Sequence, residues 1–280
     1  MKKVFKIPLY SLFTIILIFF IAGIVSKDTI KIPEDSEGEY IDISGVKIRY
    51  NQIGNGEDLL LIHGLPGSLE DWEPIVNGLS SKFRVTSYDR PGHGYSGAKN
   101  IAYNLEHNAD IVLGLINALK IKNVIVVGHS YGGSILMELA VRNPQQIKAY
   151  ISVAGATNLV ENIDPIYSII KIPIIGRGFV ATTSWLIGPA MIEDGVNQAF
   201  HPNERIIPDG YIDTRMNIWL QTKVAVSTAR EELNINSDLN RIIPEYGSIS
   251  KKFIIIHGEN DLLVPKDDSV KLHGSSPNWL

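Results

Sequence analysis

The sequence contains no cysteine, and this absence removes three kinds of chemistry at once. Without thiols the chain cannot form disulfide bonds, hold a metal through thiolates or use a cysteine nucleophile. An excess of positive charge is also lacking, because the formal net charge is −4, and no nucleic-acid partner is expected. Internal repeats and low-complexity tracts are absent too. What remains, with 45% hydrophobic and 20% charged residues, is the composition of a globular protein with a packed core.

The N-terminus carries a long uncharged run. Lys2, Lys3 and Lys6 precede residues 7–26, which contain no charged side chain. A helix of this length measures roughly 30 Å, which is enough to cross the hydrocarbon core of a bilayer. Because the run is apolar on every side, a buried core helix is the less favoured interpretation. The run therefore predicts a membrane-contacting segment.

Two interpretations of this N-terminal segment stay open. Residues 1–26 are either an uncleaved membrane anchor or a cleaved signal segment, and the poor small-residue pattern in IAGIVSKD favours the anchor. The polar residues 27–38 that follow are predicted to be a tether. Since the lysines precede the span, we expect the remaining domain to be extracytoplasmic, and either membrane-anchored or secreted.

Strand and helix patterns alternate along the rest of the chain. The runs EYIDIS and KIRYNQIG flank Gly45 and predict an antiparallel hairpin. Continuous apolar runs such as DLLLIHG and NVIVVGHS are typical of strands buried on both faces. Helical patterns separate these runs, which predicts an α/β fold with a mostly parallel sheet flanked by helices. We assign the core of this fold to residues 39–156 and 252–280.

One interval breaks this alternation. Residues 157–251 are rich in helix-compatible segments and include many apolar and aromatic side chains. A structureless loop of that length is improbable inside a compact domain. The interval is therefore predicted to be an inserted helical lid.

The main chemical motif is the pentapeptide GHSYG at residues 128–132, which follows a strand pattern and precedes an amphipathic helix. This strand–turn–helix context is the one in which G-x-S-x-G forms a nucleophile elbow. Gly128 and Gly132 are needed because Cβ atoms would crowd so tight a turn. The motif predicts that the hydroxyl of Ser130 projects from the sheet toward a substrate.

Four motifs in order, HGLPG, DRPGHGYS, GHSYGG and GENDLLVP, give the chain its resemblance to a known family. From about residue 39 to residue 280 the chain resembles the α/β-hydrolase superfamily, specifically its lid-bearing members with a serine nucleophile. By this resemblance, Ser130 is the nucleophile, Asp261 is the catalytic acid, and the backbone N–H groups of Leu65 and Tyr131 form the oxyanion hole. Other polar residues of these motifs, such as His63, are expected to brace loops.

The resemblance also implies a reaction class. A serine nucleophile predicts acyl transfer, and hydrolysis of a carboxylic ester is the expected reaction. Lactone hydrolysis, C–C bond hydrolysis and perhydrolysis stay open as alternatives. The expected partner is a small-molecule acyl compound, and the apolar lid favours an apolar one. No cofactor and no metal are implied.

The catalytic base is not evident. In chain order Ser…Asp…His, the histidine comes last and normally follows one more strand. The only later histidine, His273, lies in DDSVKLHG, which predicts a helix with His273 facing solvent. The closing SSPNWL shows no strand pattern, so the strand and helix that would cover one sheet edge are missing as well. We therefore expect a hydrolase truncated before its last strand, with the catalytic histidine beyond residue 280.

Two classes of function follow from this pattern. The first is an exported serine hydrolase that works through Ser130 and Asp261. The second is a catalytically inactive truncated hydrolase, or a hydrolase-fold binding protein, because the histidine is not evident.

Overall fold

The computed structural model describes residues 9–26, 38–99, 101–275 and 279–280. Strands and helices alternate along most of this length. The strands are β1 (Glu39–Ile43), β2 (Val46–Ile53), β3 (Glu57–Ile62), β4 (Phe83–Tyr88), β5 (Val124–His129), β6 (Ile147–Val153) and β7 (Lys252–Ile256). The α-helices are α1 (Leu9–Val25), α2 (Glu73–Ser80), α3 (Leu105–Ala118), α4 (Tyr131–Arg142), α5 (Ile166–Ile170), α6 (Ile175–Phe200), α7 (Tyr211–Trp219), α8 (Thr222–Ile242) and α9 (Lys266–Gly274). Three 3₁₀ helices span Leu69–Trp72, Glu204–Ile206 and Ile243–Ser248.

The strands form one seven-stranded sheet in the order β1-β2-β4-β3-β5-β6-β7. β1 and β2 pair antiparallel, as do β2 and β4, whereas β4, β3, β5, β6 and β7 are mutually parallel. The predicted hairpin and the predicted mostly parallel sheet are thus confirmed. Because β3 and β5 lie in the middle, their carboxyl ends are adjacent, and both carry loops of the candidate site.

Apolar side chains pack on both faces of this sheet. On one face, α3, α4 and the second half of α8 cover residues such as Leu60, Val126 and Tyr150 in the larger core. On the other face, Trp72 and Val76 pack against the central strands in a smaller core. Burial on both faces makes the central strands continuous apolar runs, and such runs allow these strands to be recognised in the sequence.

The smaller core does not extend to the β7 edge. On that side of the sheet Ile254 and Ile256 are exposed, Ile256 by 52%. This exposure does not test the truncation that the sequence suggests, which stays a prediction.

The last two residues contact β7 although SSPNWL shows no strand pattern. Leu280 exchanges backbone hydrogen bonds with β7, accepting from Ile255 at 2.7 Å and donating to the Phe253 carbonyl at 3.1 Å. The buried Trp279 stacks on the Phe253 ring with centroids 4.5 Å apart. The pairing uses backbone groups and one aromatic anchor, and neither produces a periodic pattern in the sequence.

Helices α5, α6, α7 and α8 lie between β6 and β7, in the interval predicted to be an inserted lid. The first part of α8 contacts α5 and α6, whereas Ile235, Leu239 and Ile242 near its end belong to the larger core. α8 therefore joins the inserted helices firmly to the sheet.

The N-terminal apolar run forms α1, a helix of 17 residues. None of the helices within the described ranges combines the length and hydropathy needed to cross a bilayer. The first eight residues, and residues 27–37 of the predicted tether, lie outside the described residues.

Candidate active site

Ser130 stands at the sharp turn between β5 and α4. Its backbone angles are φ 53° and ψ −121°, a conformation that non-glycine residues rarely adopt. The glycines on either side make this turn possible. A Cβ atom on Gly128 would overlap the carbonyl oxygen of Gly132, and one on Gly132 would overlap the carbonyl oxygen of Ile62. Ser130 therefore lies at a sharp strand–turn–helix connection, and its predicted role as the nucleophile of an elbow stays a prediction.

The loop that follows β3 lies directly against this serine. A Cβ atom on Gly64 would be 2.8 Å from Ser130 Cβ and 3.2 Å from Ser130 Oγ. The predicted oxyanion donors, Leu65 and Tyr131, follow Gly64 and Ser130 directly in the chain. The structure therefore brings both predicted oxyanion segments to the same serine.

Two polar side chains fix the backbone of this loop. His63 Nε2 accepts a hydrogen bond from the Arg90 backbone N–H at 2.9 Å, so its Nδ1 carries the proton and donates to the Gly64 carbonyl at 2.8 Å. Burial lowers the pKa of His63 well below its usual value, which keeps the ring neutral. Arg90 Nη2 donates to the same Gly64 carbonyl at 3.1 Å. Both residues thus brace the loop, as the sequence predicted for His63.

A buried carboxylate from the inserted helices completes this support. Glu231 of α8 accepts hydrogen bonds from Arg90 Nη1 and His93 Nε2, both at 2.9 Å, and from Asn108 Nδ2 at 2.8 Å. Burial alone would raise the pKa of Glu231, but the Arg90 charge and His93 lower it to about 2. Burial, together with Arg90, lowers the pKa of His93 to about 4. The resulting Glu231–Arg90 ion pair ties α8 to the loop beside Ser130.

A second buried network holds the loop after β4. Asp89 accepts backbone hydrogen bonds from Leu69 at 2.8 Å and from Tyr95 at 2.7 Å. Arg49 bridges the Asp89 and Glu70 carboxylates, at 3.2 and 2.6 Å. These contacts shape the loops around the site.

Asp261 lies just after β7 with its side chain half-buried. Its Oδ1 accepts the backbone N–H groups of Leu263 and Val264, both at 2.9 Å, so this oxygen caps a turn. Its Oδ2 is 3.5 Å from His257 Nε2. His257 also donates through Nε2 to the Val264 carbonyl at 2.9 Å and accepts from the Ser269 hydroxyl. Asp261 is therefore held in place from two sides.

All seven histidines lie within the described ranges, and none of them hydrogen-bonds to Ser130. His273 lies on the exposed side of α9, as its helical pattern predicted. His129 adjoins Ser130 in the chain, but its ring contacts the edge of Trp72, with centroids 6.2 Å apart. The position of a histidine base beside Ser130 is thus not filled by any described residue.

An apolar cavity of about 290 Å³ lies among the inserted helices next to the Gly64–Pro66 loop. Pro66 contributes to its wall, together with side chains of α5, α6 and α8 such as Tyr167, Val180 and Ile187. An apolar acyl or alcohol group fits this lining. In the part of the chain that the structure describes, no group of three or more histidine, aspartate or glutamate residues is arranged to hold a metal ion.

Comparison with known proteins agrees with this geometry. Residues 59–175 match the family model described as alpha/beta hydrolase fold. The structure superposes on the enol-lactonase from Burkholderia xenovorans LB400 with a TM-score of 0.71 and 22% sequence identity, over 86% of this chain and 89% of that one. The chain has the α/β-hydrolase fold.

Curated relatives of this α/β-hydrolase-fold chain differ in coverage. The 2-(acetamidomethylene)succinate hydrolase of Mesorhizobium japonicum is 25% identical over 80% of this chain and 78% of the relative. The dihydrolipoyllysine-residue acetyltransferase component of the acetoin cleaving system of Cupriavidus necator is 34% identical over 41% of this chain. The chain spans only 33% of that second relative's length.

Two residues of the α/β-hydrolase site could not be found from the sequence alone. Glu231 lies in TAREEL, a charged helical segment that is typical of a solvent-exposed surface. His257 precedes the GENDLLVP motif but has no spacing that distinguishes it from a strand-end residue. Only the packing of α8 on the core, and the folding back of the loop after β7, reveal what they contact.

Proposed function

We propose that this chain is a serine hydrolase that acts on a carboxylic ester or a related acyl compound. Ser130 is the nucleophile, Asp261 is the acid, and the backbone N–H groups of Leu65 and Tyr131 form the oxyanion hole. The observation that carries the proposal is the strained Ser130 backbone, held at φ 53° against Gly64. A protein that did not use this hydroxyl would have no reason to maintain so costly a turn.

The reaction follows from these positions. Ser130 Oγ attacks the acyl carbon while its proton passes to a base, and the carbonyl oxygen becomes an oxyanion. Two backbone donors at that oxygen stabilise the tetrahedral intermediate, by about 3–4 kcal/mol for each donor in comparable sites. The alcohol leaves with a proton, and water then releases the acid from the acyl-serine. Asp261 would orient and stabilise the protonated base.

The names of similar proteins support an acyl substrate. One relative is named a 2-(acetamidomethylene)succinate hydrolase, and one similar structure is an enol-lactonase. Ester hydrolysis is our leading reaction, with lactone hydrolysis, C–C bond hydrolysis and perhydrolysis as alternatives on the same nucleophile. The inserted helices would act as the lid, and the apolar cavity beside Pro66 would receive an apolar part of the substrate.

A second candidate is a hydrolase-fold protein that binds an acyl compound without turnover. The observation that favours it is that none of the seven histidines hydrogen-bonds to Ser130. Loss of the base from a serine triad leaves only about 10³–10⁴-fold acceleration over water. Binding could persist under these conditions while turnover became slow.

Turnover of p-nitrophenyl esters of increasing acyl length distinguishes the two candidates. The hydrolase proposal predicts saturable hydrolysis that Ser130→Ala abolishes and that His273→Ala leaves unchanged. Saturable binding of the same esters, without release of nitrophenolate above the Ser130→Ala level, would establish the second candidate.

We also propose that residues 1–26 anchor the protein in the membrane and that the domain is extracytoplasmic. The support is the uncharged run at residues 7–26 with three lysines before it. Extraction of membranes at high pH tests the anchor: the full chain should stay with the lipid, and its release would contradict the proposal.

A further inference from the structure

α1 and the first half of α6 form one exposed apolar surface, which we call the α1–α6 surface. The side chains from Tyr10 to Ile18 on α1 are all exposed. On α6, Trp185 and Leu186 are exposed by 69% and 66%. Single exposed apolar residues are normal, but a continuous surface of this kind marks an interaction site.

A close helix–helix contact holds the two parts of this surface together. A Cβ atom on Gly23 would overlap the Ile174 carbonyl oxygen, and one on Gly178 would overlap the Phe19 carbonyl oxygen, so the backbones approach closely. The Phe19 ring meets the edge of Phe179 with centroids 5.4 Å apart. The end of α1 is therefore docked on α6.

The contact leaves most of α1 unpacked. Only Phe19, Ala22, Gly23 and Ser26 are shielded from solvent, and these positions form one helical stripe near its end. Arg177 of α6 closes the contact by donating to the Ser26 carbonyl at 2.5 Å. The other described side chains of α1 are exposed, and they extend the apolar surface of α6.

Charge is absent from the stretch of α6 that contributes to this surface. α6 carries no charged residue from position 179 to position 192, and acidic side chains resume at Glu193. Lysines at positions 2, 3 and 6 precede α1, and the exposed Lys171 precedes α6. An uncharged apolar helix that follows a lysine-rich segment of the chain has the chemistry that binds anionic lipid bilayers.

We propose that the α1–α6 surface docks on an anionic lipid bilayer, so that the inserted helix α6 lies against the membrane together with α1. This inference builds on the membrane anchor proposed above and adds α6 to the membrane-contacting part. A second copy of the chain is the less favourable occupant, because the uncharged run at residues 7–26, which follows three lysines, is typical of a membrane segment rather than of a protein interface.

The position of the cavity gives this docking a consequence. Ile187 and Met191 line the apolar cavity and are themselves exposed on α6. Docking of α6 on the bilayer would therefore place one mouth of the cavity at the membrane.

Single-cysteine labelling tests the inference on the full chain, because the native sequence has no cysteine. Leu186→Cys, Phe13→Cys and Asn197→Cys each receive an environment-sensitive fluorophore and are reconstituted into phosphatidylcholine–phosphatidylglycerol vesicles. Asn197 is the matched control, since it is exposed on α6 beyond the apolar stretch. Brominated lipids should quench the label at position 186 by roughly half, as for an apolar face inserted in the interface, and leave the label at position 197 unquenched.

Three other results would contradict the docking of α6 on the bilayer, and each has a different meaning. Quenching at position 13 without quenching at position 186 would overturn the docking of α6 while the anchor stands. Absence of quenching at both positions would overturn the anchor as well. A label at position 186 whose emission shows an apolar environment, which brominated lipids do not quench and which disappears when the protein is diluted in lipid, would identify a second copy as the occupant. This result would overturn the docking on the bilayer.

Discussion

Neighbouring glycines allow the hydroxyl of Ser130 to take its position. Gly132 lets the turn close over the end of β3, and Gly64 lets the adjacent loop approach the serine to within a Cβ contact. The backbone of Ser130 is strained, so the surrounding structure must hold it in place. The chemistry proposed for this site depends on this close approach as much as on the serine itself.

Replacement of Gly64 by alanine should therefore disable the site without unfolding the protein. The added methyl group would lie 2.8 Å from Ser130 Cβ, closer than normal van der Waals contact, so the serine or the loop must move. We expect reaction of Ser130 with a fluorophosphonate to slow by about tenfold or more, because a small misplacement of a nucleophile costs about 10²-fold. Gly78→Ala is the control, since no atom lies within 4 Å of its added Cβ. Equal rates in both variants would contradict the role of Gly64.

The buried ion pair between Glu231 and Arg90 is the second residue-scale feature of the site. Both side chains are fully buried, so removal of one charge leaves the other without compensation. Glu231→Gln should lower the free energy of unfolding by about 3–5 kcal/mol. Urea titration of this variant beside Glu193→Gln, which changes an exposed carboxylate of α6, measures the effect. A loss no larger than that of the exposed control would show that the pair does not hold α8 to the loop.

At the scale of elements, the structure shows which parts of the fold local sequence pattern determines. The central strands were predictable, because DLLLIHG and NVIVVGHS are buried on both faces and consist of continuous apolar residues. The sharp turn at Ser130 was predictable because Gly128 and Gly132 are required by backbone geometry. The predicted roles of Asp261, Leu65 and Tyr131 stay predictions.

The features that escaped prediction all depend on contacts between distant segments. Glu231 lies 141 positions from Arg90 in the chain, and its burial depends on how α8 packs. Trp279 lies in the core because it stacks on Phe253, and no local sequence pattern predicts this contact. Sequence periodicity describes one element at a time, whereas these positions are fixed by the packing of several elements together.

A pH-dependent contact joins the core to the inserted helix α7. Arg215 of α7 lies 3.1 Å from Asp71 Oδ1, yet burial outweighs this charge and raises the pKa of Asp71 to about 6. In the unfolded chain the pKa is about 3.9. A folded-state pKa above the unfolded value gives stability that is present below about pH 4 and lost as the pH rises through about 6.

Asp71→Asn removes this titration and provides its test. The variant should gain stability relative to the native chain as the pH rises from 4 to 7.5, by about 1–3 kcal/mol. Unfolding in urea at the two pH values measures this difference. A relative stability that does not change with pH would show that Asp71 is ionised in the folded protein near pH 4, as its Arg215 contact alone would favour.

The whole molecule combines a strained turn at Ser130, a set of inserted helices and an apolar N-terminal helix. The α/β-hydrolase core positions Ser130, and Glu231 couples the inserted helices to the loop beside it. α1 is docked on α6, so this helix is part of the same folded unit. Membrane contact, the lid and acyl chemistry are therefore proposed for one continuous structure.

The central claim is that Ser130 is a functioning nucleophile, and covalent capture of that residue tests it most directly. The full chain in lipid vesicles is exposed to an alkyl fluorophosphonate, and the adduct is located by mass spectrometry of its peptides. We expect a single adduct on Ser130 that saturates with time, with no adduct in Ser130→Ala at equal folding by circular dichroism. A well-folded native chain that shows no adduct on Ser130 would contradict the account.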